Sequence, residues 1–262
     1  MSAITNLRRL LWALACLCAV AAQAQMLILF GSGGGRLNYA QDVQTKLIAT
    51  GLLPGTVTIY DAGATAAPSL AYLQQFQAVL AFTDSGGYQS PSLVGDVLAD
   101  YVDGGGGVVE AVFANGSIPL TGRWESGAYT AFNSGGQTQG TPLSLGTIHD
   151  PHSPIMQGIT TFTDTSSYRS TGSLRPGVIR VADWSNGDPL VVQNPGFAGR
   201  IVSLNFYPPS STVSADFWNA STDGAKLMAN SLNFVAIPEP STWAMLVLGG
   251  SVLGLAARRR RA

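Results

Sequence analysis

Residues able to do chemistry are sparse in this chain, and their spacing narrows what they can do. The only histidines, His149 and His152, fall in the stretch HDPH (149–152). Two imidazoles and the Asp150 carboxylate could hold a metal or offer a base. Pro151 stiffens the segment, however, and an i, i+3 spacing serves a metal only where the backbone curls around it. A turn in which His152 packs or hydrogen-bonds locally ahead of Pro154 is expected, with no metal. In TDSGGYQ (83–89), Asp84 and Ser85 stand together. A serine nucleophile would sit in Gly-x-Ser-x-Gly, but Thr83 takes the place of the first glycine, which leaves a binding role. Asp84, Ser85, Tyr88, Asn115, Trp124 and His152 form the candidate ligand-binding set, because aromatics beside short polar side chains suit sugars. No residue is assigned as catalytic.

GSGGGR (31–36) follows an apolar run and precedes a helix-like segment, where a helix N-terminus attracts anions. Arg36 takes the sixth position of Gly-x-Gly-x-x-Gly, and no Gly-Lys-Ser/Thr is present. A flexible rim loop is expected, and no cofactor.

The elements that must position these residues alternate. MLILF (26–30), TVTIYD (56–61), AVLAFTD (78–84) and GVVEAVF (107–113) read as strands, the apolar ones buried on both faces. Between them Tyr39 to Leu52, with Val43, Leu47 and Ile48, has helical spacing, and SLAYLQQF (69–76) is also helix-like. The segment from Pro91 to the Gly104 stop follows, with Leu93, Val97, Leu98 and Tyr101 on one face. Such alternation predicts a parallel sheet with helices on both faces, whose sites gather at the carboxyl ends of the strands. Residues 114–147 read as loop. GVIRVADW, DPLVVQN and GRIVSLNFY then read as strands without intervening helices, which predicts an antiparallel extension. A last helix spans Asp223 to Phe234, with Leu227, Met228, Ser231 and Leu232 inward.

From Gln25 to Ile237 eight Lys or Arg face fourteen Asp or Glu, a formal charge of −6. An acidic surface repels phosphate backbones, so no nucleic-acid partner is expected. The first residues carry Arg8 and Arg9, an apolar run from Leu10 to Ala22 and small residues at Ala22 and Ala24. That is a secretory-signal layout with a cut after Ala24, the alternative being an uncleaved anchor. Both cysteines, Cys16 and Cys18, lie inside it, so the mature chain is expected to have no disulfide and no thiol nucleophile. The far end joins Pro238-Glu239-Pro240, an uncharged stretch from Ser241 to Ala257, and Arg258, Arg259, Arg260 and Arg261. The stretch is marginal for crossing a bilayer, and arginines on the cytoplasmic side leave residues 25–240 outside.

These ordered parts resemble the PEP-CTERM sorting signal of exported bacterial proteins. The resemblance implies processing by an exosortase near Pro-Glu-Pro, after transient membrane anchoring, and delivery to the cell surface or beyond it, often among exopolysaccharide. It divides the chain into a signal peptide (1–24), a body (25–236) and a sorting signal (237–262). The body resembles the class I glutamine amidotransferase-like superfamily in LADYVDGGGGVVEAVF, HDPHSPIMQGI and WSNGDPLVVQNPGFAGRIVSLNFYP. This implies an α/β, flavodoxin-like fold over about Met26 to Val235. Catalytic members carry a cysteine after the glycine-led strand, whereas this chain has VFAN (112–115), which cannot attack a carbonyl. A non-catalytic surface or matrix component, structural or ligand-binding, is the favoured expectation. The alternative is an extracellular hydrolase or carbohydrate-processing enzyme in which Asp84, Ser85, His149 and His152 converge.

Overall fold

A computed structural model of the protein describes residues 25–133 and 135–236. The expected signal peptide and sorting segment lie outside these residues. Among the described residues no helix is long and apolar enough to cross a membrane.

Strand β1 (Gln25–Gly31) is buried from Met26 onward and lies in parallel between β2 (Thr56–Asp61) and β3 (Ala78–Thr83). Parallel pairing continues through β4 (Gly107–Ala111) to β10 (Ile201–Leu204). The order β2-β1-β3-β4-β10 is that of the flavodoxin-like sheet. Beyond β10 the sheet continues antiparallel through β9 (Pro189–Asn194), β8 (Ile179–Trp184) and β6 (Leu145–Ile148). The antiparallel extension is therefore present, with β6 as an added edge inside the region read as loop.

Successive side chains of a strand point to opposite faces, so β1 feeds two cores. Met26, Ile28 and Phe30 pack with Val43 and Leu47 of α1 (Leu37–Ala49) and with Leu227, Met228 and Leu232 of α5 (Gly224–Val235). Leu27 and Leu29 face Leu73 of the one-turn α2 (Leu70–Leu73) and Val94, Leu98 and Val102 of α3 (Pro91–Asp103). Proline opens α3 at a position that has no intrahelical N–H bond to lose. The chain leaves that helix through Gly105, at φ 92°, whose N–H reaches Val102 O at 2.9 Å.

Two helix faces differ from the sequence expectation. Ile48 and Leu93 are each 58% exposed, while Ala40 and Val94 are buried in their helices. Residues 114–147 are mostly irregular, yet several of them are buried: Leu120, Tyr129 and Phe132 lie in the core, as does Trp124 of the one-turn α4 (Arg123–Ser126). A two-stranded pair, β5 (Gln137–Thr138) with β7 (Arg169–Ser170), stands apart from the main sheet.

Candidate functional site

The carboxyl ends of the parallel strands converge on a cavity of about 370 Å³. Arg36 reaches it from the loop after β1, Asp84 and Ser85 from the end of β3, Phe113 from just after β4, and Tyr207 from just after β10. The β5–β7 pair brings Gln137, Gln139 and Tyr168 to one wall, and the loop after β10 brings Ser214, Asp216 and Phe217 to the other. That second loop is clamped to α1, because Ser210 N–H donates to the buried Asp42 carboxylate at 2.7 Å.

Asp84 is the centre of the polar floor and is 2% exposed. Arg36 Nη1 donates to its Oδ1 at 2.8 Å, the Tyr207 hydroxyl donates to Oδ2, and the Ser85 N–H also donates to Oδ1. The hydrogen bond to Asp84 raises the Arg36 pKa, and burial followed by the Asp84 charge pushes the Tyr207 hydroxyl far above its usual value. Both side chains therefore remain donors.

The rim is held by close backbone crossings. Gly33 N–H donates to Gly87 O at 2.9 Å, and a Cβ on Gly63 would stand 2.4 Å from Ser32 N and 2.6 Å from Gly33 N. Such distances admit no side chain. Gly31 and Gly33 are thus fixed in the rim by close backbone neighbours, while Gly34 and Gly35 stay exposed. Arg36 itself adopts φ 56° at the start of α1, and its side chain turns onto Asp84.

Of the six expected ligand-binding residues, Asp84 and Ser85 line this cavity. Tyr88 lies beneath the rim, its hydroxyl donating to Leu29 O at 3.0 Å, and Gly31 covers its ring. Asn115 is buried behind the floor and donates to Leu204 O at 3.1 Å. Trp124 is fully buried and donates to Glu110 Oε1 at 2.8 Å. His152 is exposed in the turn closed by its own N–H donating to Asp150 Oδ1 at 3.1 Å. His149 pairs with Asp183 across β6 and β8 at 2.6 Å. Neither histidine lines the cavity, so the constellation of Asp84, Ser85, His149 and His152 is not assembled. Among the described residues no group of three His, Cys, Asp or Glu is placed to hold a metal.

Sequence reasoning missed Arg36, Tyr39, Phe113 and Tyr207 as site residues. Three of these follow directly from strand ends, the signal that found Asp84. Gln137, Tyr168 and Asp216 come from irregular segments and carry no such signal.

Strand order and cavity together define a flavodoxin-like α/β domain with a cavity at its topological switch, the crevice such sheets offer to ligands. Solved structures of two ThuA-like proteins are similar to it. The one from Parabacteroides merdae has a TM-score of 0.57 at 14% identity, over 83% of this chain and 94% of that one. The one from Bacteroides uniformis has a TM-score of 0.57 at 13% identity, over 83% and 93%. A glutamine amidotransferase from Thermotoga maritima is less similar, with a TM-score of 0.44 at 8% identity over 72% and 78%. At these identities the likeness is one of fold. No curated protein matches the chain in sequence. Residues 236–261 match the PEP-CTERM protein-sorting motif, which implies export and a cell-surface or extracellular destination.

Proposed function

We propose that this protein is an exosortase substrate whose α/β body, once delivered to the cell surface or the exopolysaccharide matrix, binds a small ligand without turning it over. The division into signal peptide (1–24), body (25–236) and sorting signal (237–262) belongs to this proposal. So does transient anchoring through residues 241–257, with Arg258 to Arg261 on the cytoplasmic side. The matched sorting motif supports the route.

One observation carries the binding role. In the stretch where amidotransferase-like enzymes place their nucleophile, Phe113 presents a ring to the cavity, 4.7 Å from that of Tyr168 and 5.0 Å from that of Tyr207. A phenyl ring contributes apolar contact area and no attacking atom. The remaining polar groups, Asp84 and Arg36 above all, are satisfied by each other and suit recognition.

Purified protein incubated with ester, amide and glycoside panels is expected to release no product above the rate of the Asp84→Asn variant. Turnover that the variant abolishes would overturn the binding role.

A further inference from the structure

The nature of the ligand can be taken further, on the reading that this cavity binds one. Several of its rings stand nearly at right angles, while Phe113 meets Tyr207 at 46° and Tyr168 at 60°. Tyr207 meets Phe217 at 5.0 Å and 83°, and Tyr168 at 6.1 Å and 88°. Tyr39 meets Phe217 at 5.6 Å and 90°. Perpendicular walls make a box around a compact group, whereas a pyranose stacks on one flat, open face. Tyr207 and Phe217 are 1% and 5% exposed, so they back the cavity, and half-buried Tyr39 is the ring that offers its face to a cation.

The charges agree with the walls. Two carboxylates line the cavity, Asp84 at the floor and the exposed Asp216 at the rim, against the single cation Arg36. That cation already makes the two contacts an incoming one would want. Its guanidinium carbon lies 5.5 Å from the Tyr39 ring centroid, and Nη1 is 2.8 Å from Asp84. Its side chain is 53% exposed, so it can swing into solvent with little loss of hydration. Aromatic faces attract cations most strongly where water is excluded, and a quaternary ammonium, weakly hydrated and compact, gains most from such a box.

We propose that the cavity receives an alkylated ammonium group, and that Arg36 is a resident cation which this group displaces from Asp84 and Tyr39. The Arg36 side chain then acts against the ligand, as a built-in competitor that sets its affinity.

Calorimetric titration of the full chain tests this with choline, its neutral isostere 3,3-dimethylbutan-1-ol, and glucose. Choline is expected to bind about three- to fivefold more tightly than the isostere, the difference a partly exposed cation–aromatic contact supplies. Arg36→Gln is expected to tighten choline binding severalfold. Tyr39→Leu and Asp84→Asn are expected to weaken it, and Tyr39→Leu keeps the test sharp should the buried Asp84 variant fold poorly.

Equal binding of choline and isostere, loss of choline binding in Arg36→Gln, or no choline binding at all would overturn the ammonium assignment. Glucose binding that Tyr39→Leu abolishes, without choline binding, would overturn it while leaving the ligand-binding role intact. Turnover dependent on Asp84 would instead remove that role itself.

Discussion

The indole N–H of Trp124, on α4, donates to the carboxylate of Glu110, on β4, at 2.8 Å, and neither residue has any exposed surface. Ser203 Oγ donates to the second carboxylate oxygen at 3.2 Å. Burial nevertheless outweighs these donors and pushes the Glu110 pKa from 4.5 up to about 7. Between those values the folded protein binds more protons than the unfolded chain, so stability falls as pH rises through that window and stays low above it. The span corresponds to about 3 kcal/mol. Urea denaturation from pH 4.5 to 8 is expected to show this decline, and Glu110→Gln is expected to flatten it.

Asp164 and Arg169 form an ion pair at 3.1 Å with side chains 0% and 3% exposed. Asp164 also accepts the Leu143 N–H at 2.9 Å, and the Arg169 guanidinium carbon lies 5.8 Å from the Trp184 ring centroid. Removing one partner leaves the other buried and uncompensated. Arg169→Met is expected to lower stability by roughly 3–5 kcal/mol in chemical denaturation. Adding Asp164→Asn is expected to recover part of that loss, since the stranded charge is then gone.

Tyr207 supplies one of three donors to Asp84, the others being Arg36 and the Ser85 N–H. Tyr207→Phe keeps the ring that Phe113 and Phe217 pack against and deletes only the hydroxyl. A loss of about 1.5–3 kcal/mol is expected from denaturation curves, the usual worth of a hydrogen bond to a charged group. The raised Tyr207 pKa adds a spectroscopic check. Tyrosinate absorbance from this residue is expected only once alkali has unfolded the protein.

The sorting route is tested by intact mass and cell fractionation in the native host. Replacing Pro238, Glu239 and Pro240 by alanines is expected to keep the Arg258–Arg261 tail on the protein and to hold it in the membrane fraction. The unaltered chain is expected to lose that tail. A tail retained by both would leave an ordinary anchored ectodomain.

The parallel half of the sheet was legible because buried strands write themselves as unbroken apolar runs: Met26 to Phe30 and Ala78 to Phe82 admit few other structures. Alpha helices leave a looser imprint. In α3 the buried stripe runs through Val94, Leu98, Tyr101 and Val102, and Leu93 lies just outside it, although the 3.6-residue period accommodates either neighbour. Trp124, Tyr129 and Phe132 carry no period at all, so their burial in a Gly- and Ser-rich stretch was hidden. Among site residues, Asp84 was readable from its place at a strand end. Tyr168 and Asp216 reach the cavity through irregular segments whose course is set by tertiary contacts, such as the clamp of Ser210 on Asp42.

The crossing of Gly33, Gly63 and Gly87 backbones has a consequence for anyone reshaping this protein. Loops around a pocket are the customary place to insert or randomise residues, yet here the rim works as a bolted joint with no clearance. Libraries that place side chains at Gly31, Gly33 or Gly63 are expected to return mostly unfolded chains. New specificities are to be sought at the side chains that only look onto the cavity, Tyr39, Gln139 and Asp216 among them, where change leaves the joint untouched.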